Sequence, residues 1–289
     1  MSSTEATRVV MLGTGTPRPD PNRSGPATAI VVNGVPYLID FGPGVVRQAS
    51  AAYNNGVTSL GYGAVNVRTA FLTHMHSDHT VGYPDLIFTP WVMGRQEPIA
   101  VYGPKGVKEM TAHILSAWQV DIDGRTNGIN RHNSTGYKVD AHEVTPGVIY
   151  RDANVKVTAF QARHEEMRDS FGYRFDAADR VVVVSGDTTP TQSLIDHSRG
   201  CDVLIHEAYS MASYDQVSPR AQEFRRRHHT STVELAKIAN TVRPGILVIY
   251  HRSNAGAGLL SVDHEQVLLD ELKRDYDGQV AAAHDLDIF

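Results

Sequence analysis

Four potential metal ligands fall within six residues in the segment Phe71-Leu72-Thr73-His74-Met75-His76-Ser77-Asp78-His79. The apolar run 67–72 reads as a buried strand, so the ligands stand where a strand leaves its sheet. Residues i and i+2 of an extended segment point the same way, which lets His74 and His76 aim at one ion. Asp78 and His79, at the start of the following helix, face a neighbouring position. A lone histidine here would be an ordinary surface group and Asp78 a helix cap; four ligands at this spacing favour metal chemistry. Other candidates follow other apolar runs: His164 after 155–160, Asp187 after 181–184, His206 and Glu207 after 202–205, and His251 after 246–250. Together they make a complete set, with His74, His76 and His164 for one zinc ion, Asp78, His79 and His251 for a second, and Asp187 bridging both through its two oxygens. Two divalent ions about 3.5–4 Å apart would share a water, lower its pKa towards neutrality and hold it as a bridging hydroxide against an electrophile. No Gly-x-Ser-x-Gly elbow offers a competing nucleophile. Imidazole and carboxylate ligands suit two Zn²⁺ per chain, and leave Mn and Fe open.

The elements that must position this set alternate along the chain. Helices are expected over residues 45–53, 78–93, 105–118, 191–197, 232–242 and 262–276, and strands over 67–72, 155–160, 181–185, 202–205 and 246–250. Asn33-Gly34 marks a hairpin near the start. Gly13-x-Gly15 lacks the third glycine of a dinucleotide fingerprint and is followed by a hairpin rather than a helix, which argues against a Rossmann site. Residues 121–147 are polar and rich in Gly and Asn, as suits an exposed loop or lid. With no repeat, low-complexity tract or linker, residues 1–289 read as a single domain.

Composition narrows the function classes. The 289 residues are 41% hydrophobic and 20% charged, enough for a large core, and 27 Lys+Arg against 32 Asp+Glu give a net charge of −5. That is no basic footprint for nucleic acid. No apolar run approaches the roughly 20 residues of a membrane span. The first eight residues lack a signal-peptide pattern, so the default location is cytoplasmic. The one cysteine, Cys201, supplies neither a disulfide nor a thiolate zinc site.

The motif His74-x-His76-x-Asp78-His79, with His164, Asp187 and His251 at ordered distances, resembles the metallo-β-lactamase superfamily of dinuclear hydrolases, nearly end to end. Residues 12–17 (LGTGTP), 40–44 (DFGPG), 102–106 (YGPKG) and 285–289 (DLDIF) are similar to the ribonuclease Z and arylsulfatase-like branch. The resemblance implies an α+β fold, a four-layer αββα sandwich. It also implies that His206-Glu207-Ala208 and His229-Thr230-Ser231 assist proton donation to the leaving group. The catalytic residues would then be Asp78, Glu207 and His229. His229 precedes an N-cap signal at 230–232, and Glu207 could orient it. His228 is expected on the surface with the basic run 225–227, as are His113, His132, His142, His197, His264 and His284.

Three features depart from the tRNA-processing branch. Residues 165–186, between His164 and Asp187, leave no room for an inserted tRNA-gripping arm; Asp85 stands where that enzyme normally has glycine; and the segment 252–256 lacks its usual Ser/Arg-rich ending. The sequence therefore predicts a hydrolase of a small ester-like molecule (a sulfate ester, phosphodiester, carboxylic ester or lactone) with nucleic acid and membrane not expected as partners and a homodimer allowed. A tRNA 3′-end endonuclease and an iron-dependent redox enzyme on the same scaffold are the alternatives. Tyr83, Trp91, Tyr209, Tyr214 and Arg252 are candidates for an apolar pocket with an anion contact, or for ordinary packing.

Overall fold

The computed structural model describes residues 6–253 and 262–289. The expectations resting on the first five residues and on positions 254–256 fall outside them. The chain divides into two compact units: one holds the residues up to Gly13, Pro21–Val144 and Asp285–Phe289, the other Thr14–Asp20 and Thr145–His284.

The first unit contains β1 (Arg8–Gly13), β2 (Ala27–Val32), β3 (Val35–Ile39), α1 (Val45–Asn54), β4 (Thr69–Phe71), α2 (Ser77–Thr80), α3 (Tyr83–Val92), β5 (Ile99–Gly103), α4 (Val107–Ala117), α5 (Gln119–Asn127) and β6 (Val139–Glu143). Its sheet runs β1-β2-β3-β4-β5-β6. The first three strands pair antiparallel and the rest parallel. Asn33 and Gly34 both take positive φ, as the β2–β3 hairpin requires. Val45, Val46, Ala49 and Ala52 recur at helical spacing and form the buried face of α1. Residues 285–289 return to this unit, where Val9 and Phe289 exchange backbone hydrogen bonds at 2.9 Å and Met11 N donates to Asp287 O at 2.9 Å.

The second unit contains β7 (Gly147–Arg151), β8 (Val155–Gln161), β9 (Phe171–Ala177), β10 (Val181–Val184), α6 (Gln192–Ser198), β11 (Val203–Tyr209), α7 (Met211–Tyr214), α8 (Pro219–His228), α9 (Thr232–Val242), β12 (Ile246–Ser253), α10 (Val262–Asp275) and β13 (Val280–Ala282). Its sheet order is β13-β12-β11-β10-β9-β8-β7, parallel from β10 to β13 and antiparallel from β7 to β10. Val183, Leu204, Leu247 and Ile249 of its strands pack with Leu235 and Leu272 of its helices.

Three expectations change. The helix predicted over 78–93 breaks at Val81 and Gly82 into α2 and α3. A Cβ at Gly82 would stand 2.3 Å from Gly42 O, and one at Gly42 would stand 2.5 Å from Asp78 O, so this bend needs glycine at both positions. The polar stretch 121–147 is not a lid; it contains most of α5 and all of β6. Residues 225–227, read as an exposed basic run, lie in the last turn of α8, which Ser218 caps and in which Arg225 is buried.

α3 carries an internal proline whose consequence is repaired locally. Pro90 has no N–H for the carbonyl of Leu86, four residues back. The Arg95 guanidinium donates to Leu86 O at 3.0 Å, to Ile87 O at 2.8 Å and to Gly136 O at 2.9 Å. Arg95 is only 1% exposed, and burial draws its pKa down to about 10.

Candidate functional site

In the first unit β4 delivers the segment 73–76 and α2 carries Asp78 and His79. Asp40, at φ 58°, holds this loop from below: its carboxylate accepts from Thr73 N at 2.8 Å and Thr73 Oγ1 at 2.9 Å, and lies 2.8 Å from His79 Nδ1. With Nδ1–H committed to Asp40, His79 presents Nε2 as its candidate ligand atom. Thr73 Oγ1, having donated its proton to Asp40, accepts from His74 Nδ1 at 3.0 Å, which leaves His74 Nε2 as a lone pair. That atom lies 3.0 Å from His76 Nδ1, and His79 Nε2 lies 3.6 Å from Asp78 Oδ2.

In the second unit β8 leads to His164, β10 to Asp187, and Glu207 and His251 lie within β11 and β12. Thr188 joins two of these loops: its hydroxyl accepts from Arg163 N at 3.0 Å, and Thr189 N donates to Arg163 O at 2.8 Å. His164 Nδ1 donates to His228 O at 2.8 Å, directing Nε2 away from α8. His251 is the extra residue of a β-bulge, because Glu207 pairs with Tyr250 and Ala208 with Arg252. It sits at φ 42°, a costly conformation for a non-glycine residue, and its N–H donates to Thr14 O at 3.2 Å. Its Nε2 lies 3.4 Å from Asp187 Oδ2.

Two nitrogen or oxygen ligands each about 2.05 Å from a tetrahedral ion lie about 3.3 Å apart. The three pairs His74–His76, Asp78–His79 and Asp187–His251 have that spacing, so the donor atoms fit divalent ions. In the second unit His164, Asp187 and His229 also form a group that could hold a metal ion, as do Glu207, His229 and His251.

Glu207 is wholly buried, and its Oε1 accepts from Thr230 N at 3.1 Å and Thr188 N at 3.3 Å and lies 3.2 Å from His229 Nδ1. Burial alone would depress the His229 pKa, but the Glu207 and Asp187 carboxylates lift it to about 9. The expected N-cap signal becomes a capping box between Ser231 and Glu234 that starts α9 three residues past His229. His206 is fully buried, with Nδ1 2.6 Å from Glu207 O, and burial lowers its pKa.

Sequence reasoning missed Asp40 and Thr73 as supports of the ligands. In the sequence Asp40 reads only as the start of the 40–44 turn, 33 residues before Thr73, and the polar residue at that position is the available signal. His228 is not on the surface: it is 3% exposed, with Nδ1 2.7 Å from Phe224 O and Nε2 2.5 Å from Glu166. His113, His264 and His284 are exposed as expected, while His132, His142 and His197 are half-buried. The proposed pocket residues are mainly packing. Tyr83 stacks on Phe41 at 4.5 Å, Trp91 Nε1 donates to Asn133 O at 2.8 Å, and Arg252 is held by Glu265 at 2.8 Å and Ala283 O at 3.1 Å.

A β-lactamase superfamily domain model matches residues 36–252. Among curated relatives, ribonuclease Z of Mycobacterium bovis (strain BCG / Pasteur 1173P2) is 31% identical over 248 residues, covering 84% of this chain and 85% of the relative. Ribonuclease Z of Mycobacterium avium (strain 104) is 30% identical over 283 residues, 96% of each. Among solved structures, the metallo-beta-lactamase fold protein YhfI from Bacillus subtilis is 17% identical with a TM-score of 0.73, covering 99% of this chain and 100% of that one. The short form of human tRNase Z is 22% identical with a TM-score of 0.67, covering 98% of each. The chain belongs to the metallo-β-lactamase superfamily, in its ribonuclease Z-like branch, and is a metal-dependent hydrolase. The α+β class and metallo-β-lactamase fold are those the sequence predicts.

Proposed function

We propose that this chain uses a dinuclear centre to hydrolyse a small ester-like substrate, with His74, His76, Asp78, His79, His164, Asp187 and His251 holding two divalent ions, zinc by preference. The observation that carries this reading is the spacing of 3.0, 3.6 and 3.4 Å between paired donor atoms in the two units. Bound there, the ions supply Lewis acidity and a water that ionises near neutral pH. The chain itself fixes the ligands: Asp40 sets the tautomer of His79, Thr73 that of His74, and the carbonyl of His228 that of His164. Glu207 engages Nδ1 of His229 and favours its protonated form, which leaves Nε2 to pass a proton to the departing oxygen as the ester bond breaks.

Among the sulfate ester, phosphodiester, carboxylic ester and lactone classes, the phosphodiester leads, because the curated relatives are named ribonuclease Z. A small substrate is supported by the net charge of −5 and by residues 165–186, which hold only a short loop, β9 and β10 and no inserted arm. The relatives' names oppose setting nucleic acid aside, so tRNA 3′-end processing is the second reading. Elemental analysis should find two zinc ions per chain, together with turnover of a chromogenic phosphodiester, sulfate, ester or lactone. Cleavage of a precursor tRNA with no turnover in that panel would favour the second reading. One tightly held iron with no hydrolysis would overturn both.

A further inference from the structure

Phe224 is the one large apolar residue of α8, among Arg220, Glu223, Arg226 and Arg227, and it is 51% exposed. Singly exposed aromatics are common and mean nothing alone. This one is fixed on one face, its ring stacked on the buried His228 at 4.1 Å and 18°. His228 is itself pinned through both ring nitrogens, by Phe224 O and by Glu166. The Phe224 ring centre also lies 5.9 Å from that of His229. An exposed plane is thus held one ring-length from the imidazole that passes a proton to the leaving group.

We propose that Phe224 is a stacking platform that selects substrates whose leaving group is a planar aromatic ring, such as an aryl or nucleobase-bearing ester. This deepens the reading above and rests on His229 as proton donor. In the step concerned, the bond from the electrophilic centre to the leaving oxygen breaks. Its electron pair stays on that oxygen, which takes the proton from His229, while the oxygen of water forms the new bond and sheds one proton to solvent, from which His229 is reprotonated. A leaving-group ring seated on Phe224 at the 4.5–7 Å over which aromatic pairs attract would gain about 0.5–1.5 kcal/mol, or roughly two- to twelvefold in affinity.

The test separates this from the parent reading by measuring binding as well as turnover. Phenyl phosphate and cyclohexyl phosphate carry the same charged group on a flat or a saturated ring; calorimetric titration of each into the metal-loaded protein reads the platform directly. The wild type should prefer phenyl phosphate about fivefold. Phe224→Ala and Phe224→Leu should erase that preference at unchanged metal content, while Phe224→Tyr should keep it. No preference in the wild type, or a preference that survives in Phe224→Ala, overturns the platform, as does failure of either phosphate to bind at millimolar concentration. Retention of the preference by Phe224→Leu would do the same, because leucine keeps apolar bulk without a π-face. Turnover of the chromogenic phosphodiester, sulfate, ester and lactone panel is scored separately: its absence throughout, with the binding preference intact, removes the hydrolytic reading and with it the leaving-group role, leaving Phe224 only as a ring-binding surface.

Discussion

At the scale of single residues the proposed site separates groups assigned to hold ions from groups assigned to move protons. His229→Ala should lower kcat by about 10²–10⁴-fold and leave the metal content of the purified protein intact, whereas Asp187→Ala should lose metal by elemental analysis. Equal metal loss in both would end that division of roles. Asp40 orients a ligand without being one, so Asp40→Ala should weaken metal affinity about 10–100-fold, read by competition with a chelator. His206 predicts a pH effect on stability. Burial lowers its pKa in the folded chain, so below the ordinary value near 6.5 the unfolded chain takes up a proton that the folded chain resists. Its contribution is present above pH 6.5 and lost as the pH falls towards the lowered pKa. Denaturant titrations between pH 7 and 5 should show a smaller slope for His206→Leu than for the wild type, by at most about 1.4 kcal/mol per pH unit. The proposed ligand residues stand out in the sequence because a strand end shows as an apolar run that stops at His or Asp. Asp40 and Thr73 do not, because support across 33 residues leaves no local pattern.

At the scale of elements, those with apolar periodicity were legible and those without it were not. α9 reads as a helix from Leu235, Ala236, Ile238 and Ala239, all buried. α5, with the sequence QVDIDGRTN, buries only Ile122 and offers no stripe to find, and α8 is concealed by its arginines. The break between α2 and α3 depends on close backbone approach at Gly42 and Gly82, a fact of tertiary structure. The internal proline of α3 gives this scale its own expectation. Arg95→Met keeps the aliphatic stem but removes the donors to Leu86 O, Ile87 O and Gly136 O. The loss should be about 2–4 kcal/mol, measured by denaturant unfolding, because several buried carbonyls lose partners together. A change below 0.5 kcal/mol would mean that the carbonyls find other donors.

At the scale of the whole molecule, the sheet of each unit joins an antiparallel part to a parallel part, and in each the candidate ligands follow or end strands of the sheet. The superfamily could be read from the order of ligand motifs along the chain, while the substrate could not, since neither ring stacking on Phe224 nor burial of His228 leaves a mark in the sequence. One further consequence follows from the route of the chain. β1 is the edge of its six-stranded sheet, and residues 285–289 line it, with Val10 bridged antiparallel to Ile288. Those residues leave the ribosome after the whole of the second unit, so on a nascent chain the donors and acceptors of β1 stand open for most of synthesis, a template for wrong strands. Leu286→Pro, which removes the N–H that donates to Met11 O, should increase aggregation on refolding, measured by light scattering, more than it changes the activity of the soluble fraction. The protection of that edge is a matter of timing: a segment translated after the second unit shields one translated before it.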